Sequence, residues 1–145
     1  TIFGPFKAIS FSVLYPQLRR MVIAGLIESK EVEVTSRRTR IVYSITEKGA
    51  KRFEQLTETV TPESWSDEGF EVHFALFSPT PKKNRVRILE GRLRRLQEKA
   101  ELLRTDLEGS TAGLDKYLEE WRRHSLDSVE REILWLEKMI TTEGK

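Results

Sequence analysis

Apolar residues along the first sixty positions follow two rhythms. Phe11, Leu14, Leu18, Val22 and Leu26 recur at three- and four-residue steps, the inward stripe of an amphipathic helix. Ser10 or Ser12 stands where a cap belongs. Pro16 must then lie near the helix start, because proline is tolerated only where no helical N–H bond is lost. Gly25 closes the helix. Val32, Val34, Ile41, Tyr43 and Ile45 alternate with polar neighbours instead, which predicts two strands. Thr35 to Arg40 holds no apolar residue and reads as the tip of a β-hairpin. Thr46 caps a further helix from about Glu47 to Thr59, with Phe53 and Leu56 facing inward.

Residues Thr61 to Asp67 are polar and include Pro62, so a boundary falls there, between a domain over 1–60 and another over 66–141. The next segment, FEVHFALF, is ambiguous: Phe70, Val72, Phe74 and Leu76 alternate like a strand, while Phe70, Phe74 and Phe77 fit a helix. Thr80-Pro81 suits an N-cap and first helical residue. Val86, Leu89, Leu93, Leu96, Ala100, Leu103 and Leu107 then follow in alternating steps of three and four, a heptad seam among charged residues. Gly109 to Gly113 breaks it, and a last helix runs from about Leu114 to Ile140 with Leu118, Trp121, Val129, Ile133, Leu136 and Ile140 on its apolar face. Two long antiparallel helices cannot bury both apolar faces alone. A second copy of the chain is the simplest cover, with Leu89, Leu93, Leu96, Leu103, Leu107, Leu118, Val129, Ile133, Leu136 and Ile140 as dimerisation residues. Packing back onto the first domain is the other arrangement. The expected fold is mainly α with a small β-hairpin wing: a winged helix-turn-helix followed by a long-helix antiparallel arm.

Composition adjusts this picture in three ways. Cysteine is absent, so disulfides and thiolate zinc sites are excluded. No run of about 18 apolar residues and no signal-peptide pattern occurs, so a cytoplasmic protein without membrane partners is expected. Residues 1–60 carry 10 Lys+Arg against 6 Asp+Glu, and residues 61–145 carry 15 against 17, a basic front and a slightly acidic back.

A helix, a two-stranded wing and a helix with this charge point to DNA. Ser10, Ser12 and the helix N-terminus suit phosphate. Arg19 lies outward on the helix, and Gln17 and Arg20 each make two hydrogen bonds, which suits base edges. Arg37, Arg38 and Arg40 at the wing tip suit a minor groove. The plain alternative is a solvated helix face and an edge guarded by charge. His73, Phe74, Tyr117, Trp121 and Trp135 form a second constellation able to line an effector pocket, although aromatics at helical spacing usually only pack. Catalysis finds no support. His73 and His124 lack nucleophile motifs around them, no phosphate-cradling glycine loop or H-E-x-x-H occurs, and the Asp67/Glu68 and Glu119/Glu120 pairs read as solvated. No cofactor or metal is expected, and no enzyme.

FSVLYPQLRRMVIAGLIE followed by IVYSITEKGAKRF resembles the PadR family of bacterial transcriptional regulators. The family's L-Y-P step stands as Leu14-Tyr15-Pro16, its continuation as Leu18 to Ile27, and its strand-to-helix junction as Tyr43 and Thr46 to Gly49. Phe70 to Leu107 and Leu114 to Ile140 are similar to the family's two-helix dimerisation arm. The resemblance implies that FEVHFALF is helical, that Tyr15 touches the DNA backbone, and that a small aromatic or drug-like effector binds the arm. Family members carry a first helix and most of a second before the TIFGPFKAIS segment, so upstream residues are expected in the natural protein.

The reading this supports is a repressor that binds a near-palindromic operator as a homodimer and is released by an effector. Two rivals stand beside it: a helical protein-interaction module whose wing does not bind DNA, and a sensor that sequesters a small molecule.

Overall fold

The computed structural model describes residues 10–35, 38–109 and 115–144. The chain divides into two compact units, one ending at Thr59 and the next opening at Val60.

The first unit contains α1 (Phe11–Ile23), β1 (Ile27–Thr35), β2 (Arg38–Ile45) and α2 (Glu47–Glu58). Ser10 is the N-cap of α1, but its hydroxyl pairs with that of Ser12 at 2.8 Å rather than capping an N–H. Pro16 therefore lies well inside α1 rather than near its start. The helix runs through it, forgoing the one bond that Pro16 cannot donate. Gly25 adopts φ +72°. Its N–H bonds Val22 O, and Leu26 N–H bonds Met21 O, each at 2.9 Å, so a Schellman turn satisfies the last carbonyls. The apolar stripe is less buried than its spacing predicts. Leu14, Leu18, Val22 and Leu26 are half-buried against the hairpin side, while Phe11 is 70% exposed and stacks on Tyr15 at 5.7 Å. The reason is position: α1 packs on β1, and Phe11 lies at the end of α1 far from where β1 begins.

The hairpin pairs Ile27 with Ile45 and runs antiparallel to the Thr35–Arg38 pair, with an irregularity between Glu33 and Thr35. Thr46 then performs the cap expected of it, accepting from Gly49 N–H at 3.0 Å. In α2, Phe53 is half-buried but Leu56 is exposed, against expectation: Leu56 shares the side of Gly49 and Phe53 but lies two turns beyond the Gly49 contact with Leu26.

The second unit contains a 3-10 turn η1 (Pro62–Trp65), α3 (Phe70–Ala75), α4 (Lys82–Glu108) and α5 (Lys116–Gly144). The ambiguous FEVHFALF segment is helical, as the family resemblance implied. Thr80 does not cap α4. Its hydroxyl donates to Leu76 O at 2.7 Å, closing the α3 loop, and Pro81 takes the capping position. Helix α5 starts at Lys116, behind the Asp115 carboxylate that accepts from Tyr117 N–H at 3.0 Å, and runs to Gly144, a turn beyond the last apolar position. The Gly109 to Gly113 break lies, apart from Gly109, outside the described residues.

Helices α4 and α5 are antiparallel and share one core of Ile88, Leu89, Leu96, Ala100, Val129 and Leu136, joined by Phe70 and Phe77. Gly91 lies directly under the Trp65 indole, where any Cβ would overlap the ring. Leu136→Ala is expected to lower unfolding free energy by about 2–5 kcal/mol, since the side chain is fully buried. Gly49→Ala is expected to cost about 1–3 kcal/mol or more, because the new Cβ meets the Leu26 carbonyl oxygen. Urea unfolding followed by circular dichroism checks both.

Candidate nucleic-acid interface

The position of α1 is fixed at its C-terminal end. The Thr46 hydroxyl donates to Gly25 O at 2.6 Å, Thr46 N–H bonds Leu26 O at 3.1 Å, and Lys48 Nζ donates to Ala24 O at 2.7 Å. A cation on the last carbonyls also suits the negative end of the helix dipole. Gly49 allows α2 to press its backbone on Leu26 O. The T-E-x-G segment is therefore the joint that sets α1 against the hairpin and α2.

With that end held, α1 turns its other side outward. Ser10, Ser12, Tyr15, Gln17, Arg19 and Arg20 are all exposed. Arg38 and Arg40 are exposed too, but they belong to β2 rather than to the loop: Arg38 pairs with Thr35 and Arg40 with Val32. Two residues apart on a strand, they leave the ribbon on one face. Arg37 lies outside the described residues. Among the described residues, no side-chain hydrogen bond or ion pair engages Arg19, Arg20, Arg38 or Arg40. By contrast, Arg85, Arg92, Arg95, Arg104 and Arg123 in the second unit all hold carboxylates. A row of unpaired guanidiniums on one helix and one hairpin is chemically ready for phosphate and base edges.

The aromatic constellation is divided. Phe74 meets Trp135 at 5.1 Å and Phe77 at 4.8 Å, and Trp135 also meets Phe70 at 6.4 Å, a packed cluster under α3. His73 bonds Gly69 O through Nδ1 at 2.9 Å. Trp121 and Tyr117 lie about 21 and about 27 Å from Trp135 along α5. Both are exposed, and Trp121 stands 5.6 Å from His124. Trp121 lines a cleft of about 520 Å³ with Lys99, Leu103, Arg122, Ser125 and Ser128.

The ten seam residues also divide. Leu89, Leu96, Val129 and Leu136 are buried within the chain's own α4–α5 core, so they hold these two helices together. Leu93, Leu103, Ile133 and Ile140 pack at the edge of that core, Leu107 is half-buried and Leu118 is exposed. The apolar side chains that α5 leaves uncovered are Tyr117, Leu118, Trp121, Leu134 and Trp135.

Residue types alone did not disclose the ion pairs that brace the second unit. Asp67, expected to be solvated, accepts from Arg92 at 2.6 Å and Arg95 at 3.0 Å. Glu119, likewise, pairs with Arg123. Arg92 is buried, also bonds Glu132 at 2.9 Å and lies 5.3 Å over the Phe70 ring. Burial disfavours its charge, but Glu132 and Asp67 outweigh that and leave its pKa raised. Hydrogen bonds from Arg95 and Arg92 hold the Asp67 carboxyl down at about 2. Arg85 bonds Glu143 at 2.8 Å and Thr80 O at 2.8 Å, which is what extends α5 past its apolar positions.

No group of three or more His, Asp or Glu that could hold a metal occurs among the described residues, and no described helix is long and apolar enough to cross a membrane.

Comparison with known proteins gives the following. Residues 3–55 match the transcriptional regulator PadR-like family. No curated protein matches the chain. Among solved structures, Bacillus subtilis PadR in complex with operator DNA is similar at 18% identity, over 98% of this chain and 84% of that one, with a TM-score of 0.46. The same protein in complex with p-coumaric acid is similar at 18% identity, over 99% and 83%, with a TM-score of 0.48. A PadR-like transcriptional regulator from Bacillus cereus is similar at 20% identity, over 97% and 80%, with a TM-score of 0.47.

A carboxyl whose folded pKa is depressed contributes stability above its unfolded pKa and loses it as pH falls through the folded value. Asp67, ordinarily near 3.8 and here about 2, should therefore make the second unit less stable as pH falls from about 4 to about 2. In Asp67→Asn this part of the pH dependence should be absent from thermal unfolding over the same window.

Proposed function

We propose, from the match of residues 3–55 to the PadR-like family of transcriptional regulators, that the chain is a PadR-like repressor. As a homodimer it binds a near-palindromic operator through α1, with Arg38 and Arg40 of the hairpin beside the adjoining minor groove. The observation that carries this reading is the set of unpaired cations on α1 and β2, in a protein whose second unit neutralises so many of its arginines. Phosphate contacts require that such groups be free, and each one that neutralises a phosphate releases a counterion. Dimerisation is supported by the apolar side chains that α5 leaves uncovered. A two-fold pair of such units sets its α1 helices one DNA turn apart, roughly 34 Å between half-site centres.

An aromatic effector acts, on this reading, in the cleft beside Trp121. That site combines an exposed indole, the His124 ring, the cations Lys99 and Arg122, the Arg92–Glu132 pair and two hydroxyls. Phe74 packs against the core, and Trp135, though partly exposed, rests its ring on Phe70 and Phe74. Ligand binding there shifts the spacing of the two α1 helices, and only one spacing fits both grooves.

Binding of the full-length protein to its upstream promoter DNA, titrated against salt, tests the DNA reading. Arg38→Ala with Arg40→Ala is expected to weaken binding to every sequence and to reduce the slope of log K against log salt by about 2. An unchanged slope would remove the wing from the interface. No DNA affinity at all, from a folded protein, would favour a protein-interaction module. For the effector, titration with planar aromatic acids is expected to quench tryptophan emission in the wild type and not in Trp121→Phe. Equal quenching in both would place the ligand elsewhere.

A further inference from the structure

The exposed surface of α1 is not uniform. At 3.6 residues per turn, Ser12, Tyr15 and Arg19 fall within roughly 60° of one another around the axis. Val13, Gln17 and Arg20 fall within another arc of roughly 60°, its centre about 130° from the first. The half-buried stripe of Leu14, Leu18 and Val22 faces the unit's own packing; Arg20 and Val13 lie opposite it, roughly 160° and 140° from Leu18, with Gln17 and Arg19 on the two flanks at about 100° each. Chemistry follows the same division. The first arc holds two hydroxyls and a guanidinium, and Ser12 Oγ pairs with Ser10 Oγ at the positive end of the helix. The second arc holds a branched apolar side chain that is 56% exposed, a carboxamide and a guanidinium.

Resting on the DNA-binding reading above, we propose that α1 divides its labour between two stripes, Ser12, Tyr15 and Arg19 positioning on phosphates, and Val13, Gln17 and Arg20 specifying bases. A helix seated in the major groove sends the side opposite its own packing, here Val13 and Arg20, deepest toward base edges; Gln17 adjoins that pair within about 60°, while the flank of Tyr15 and Arg19 meets the groove wall where the phosphates lie. Each member of the deep stripe has a matching edge. Val13 contacts a thymine methyl, Gln17 bonds adenine N6 and N7, and Arg20 bonds guanine O6 and N7. Seven residues of helix rise about 10 Å, the span of about three base-pair steps. One half-site therefore contains thymine, adenine and guanine at neighbouring positions, read in that order from the N-terminal to the C-terminal end of α1. The adjacent arginines consequently have different tasks: Arg20 selects and Arg19 anchors.

The test is selection of the full-length wild type and the variants Val13→Ala, Gln17→Ala, Arg19→Ala and Arg20→Ala on duplex libraries randomised over the half-site, with retained pools sequenced. All four positions are exposed, and circular dichroism verifies that each variant keeps its helices. The wild type is expected to prefer thymine, adenine and guanine within a few neighbouring pairs. Arg20→Ala should lose guanine discrimination at one position by about 5- to 150-fold, with Gln17→Ala losing adenine and Val13→Ala losing thymine elsewhere. Arg19→Ala should keep the wild-type preference and bind all sequences more weakly. A changed base preference in Arg19→Ala, or uniform weakening without relaxed preference in Arg20→Ala, overturns the division while leaving DNA binding intact. A wild type that retains no DNA overturns the DNA-binding reading itself, and this proposal with it.

Discussion

The contact between the end of α1 and the start of α2 is the constraint on which the first unit depends. Gly25 turns the chain with a positive φ, Thr46 binds both the turn and the α2 N-terminus, and Gly49 lets the two backbones touch. Each of these demands a specific residue. A side chain at Gly25 would be strained, one at Gly49 would strike a carbonyl, and without the Thr46 hydroxyl the Gly49 N–H would lose its cap. What the joint secures is the direction of α1. Among the described residues, α1 is held by backbone and cap at its C-terminal end and is half-buried along Leu14, Leu18 and Val22, which leaves its other side exposed.

The second unit solves a different problem. Two helices of 27 and 29 residues form a single seam, so much of each surface remains outside the core. Arginine–carboxylate pairs brace it: Arg92 joins Asp67, Glu132 and the Phe70 ring, and Arg85 joins Glu143 to the α3–α4 turn. A buried arginine is stabilising only if its donors are satisfied, and breaking such a set leaves a buried charge exposed to the full desolvation cost. Asp67 and Glu132 meet that need from elements on either side of α4. Arginines used in this way are unavailable for nucleic acid, whereas Arg19, Arg20, Arg38 and Arg40 hold no carboxylate among the described residues.

Much of this organisation was legible in the sequence. The three-and-four spacing from Val86 to Leu107 locates α4, and the alternation around Thr35 to Arg40 locates the hairpin, because burial on one side of a helix or ribbon imposes those periods. Thr46 and Gly49 were visible as a motif, although their task as a joint needed coordinates. Periodicity could not disclose which carboxylate answers which arginine. Asp67 and Arg92 are 25 residues apart, and Glu143 lies past the last apolar position of α5. It also placed Phe11 inward, since spacing reports which side of a helix a residue takes and not what stands opposite. For the candidate interface, exposure agreed with the outward set on α1, whereas the five aromatics grouped by type alone proved to occupy two separate places.

On the proposed reading, α1 enters the major groove. Dimethyl sulfate footprinting of the full-length protein on its upstream promoter DNA tests it most directly, because guanine N7 faces that groove. Two clusters of protected guanines, about one helical turn apart, are the predicted result. A bound complex with every guanine N7 still reactive would contradict it.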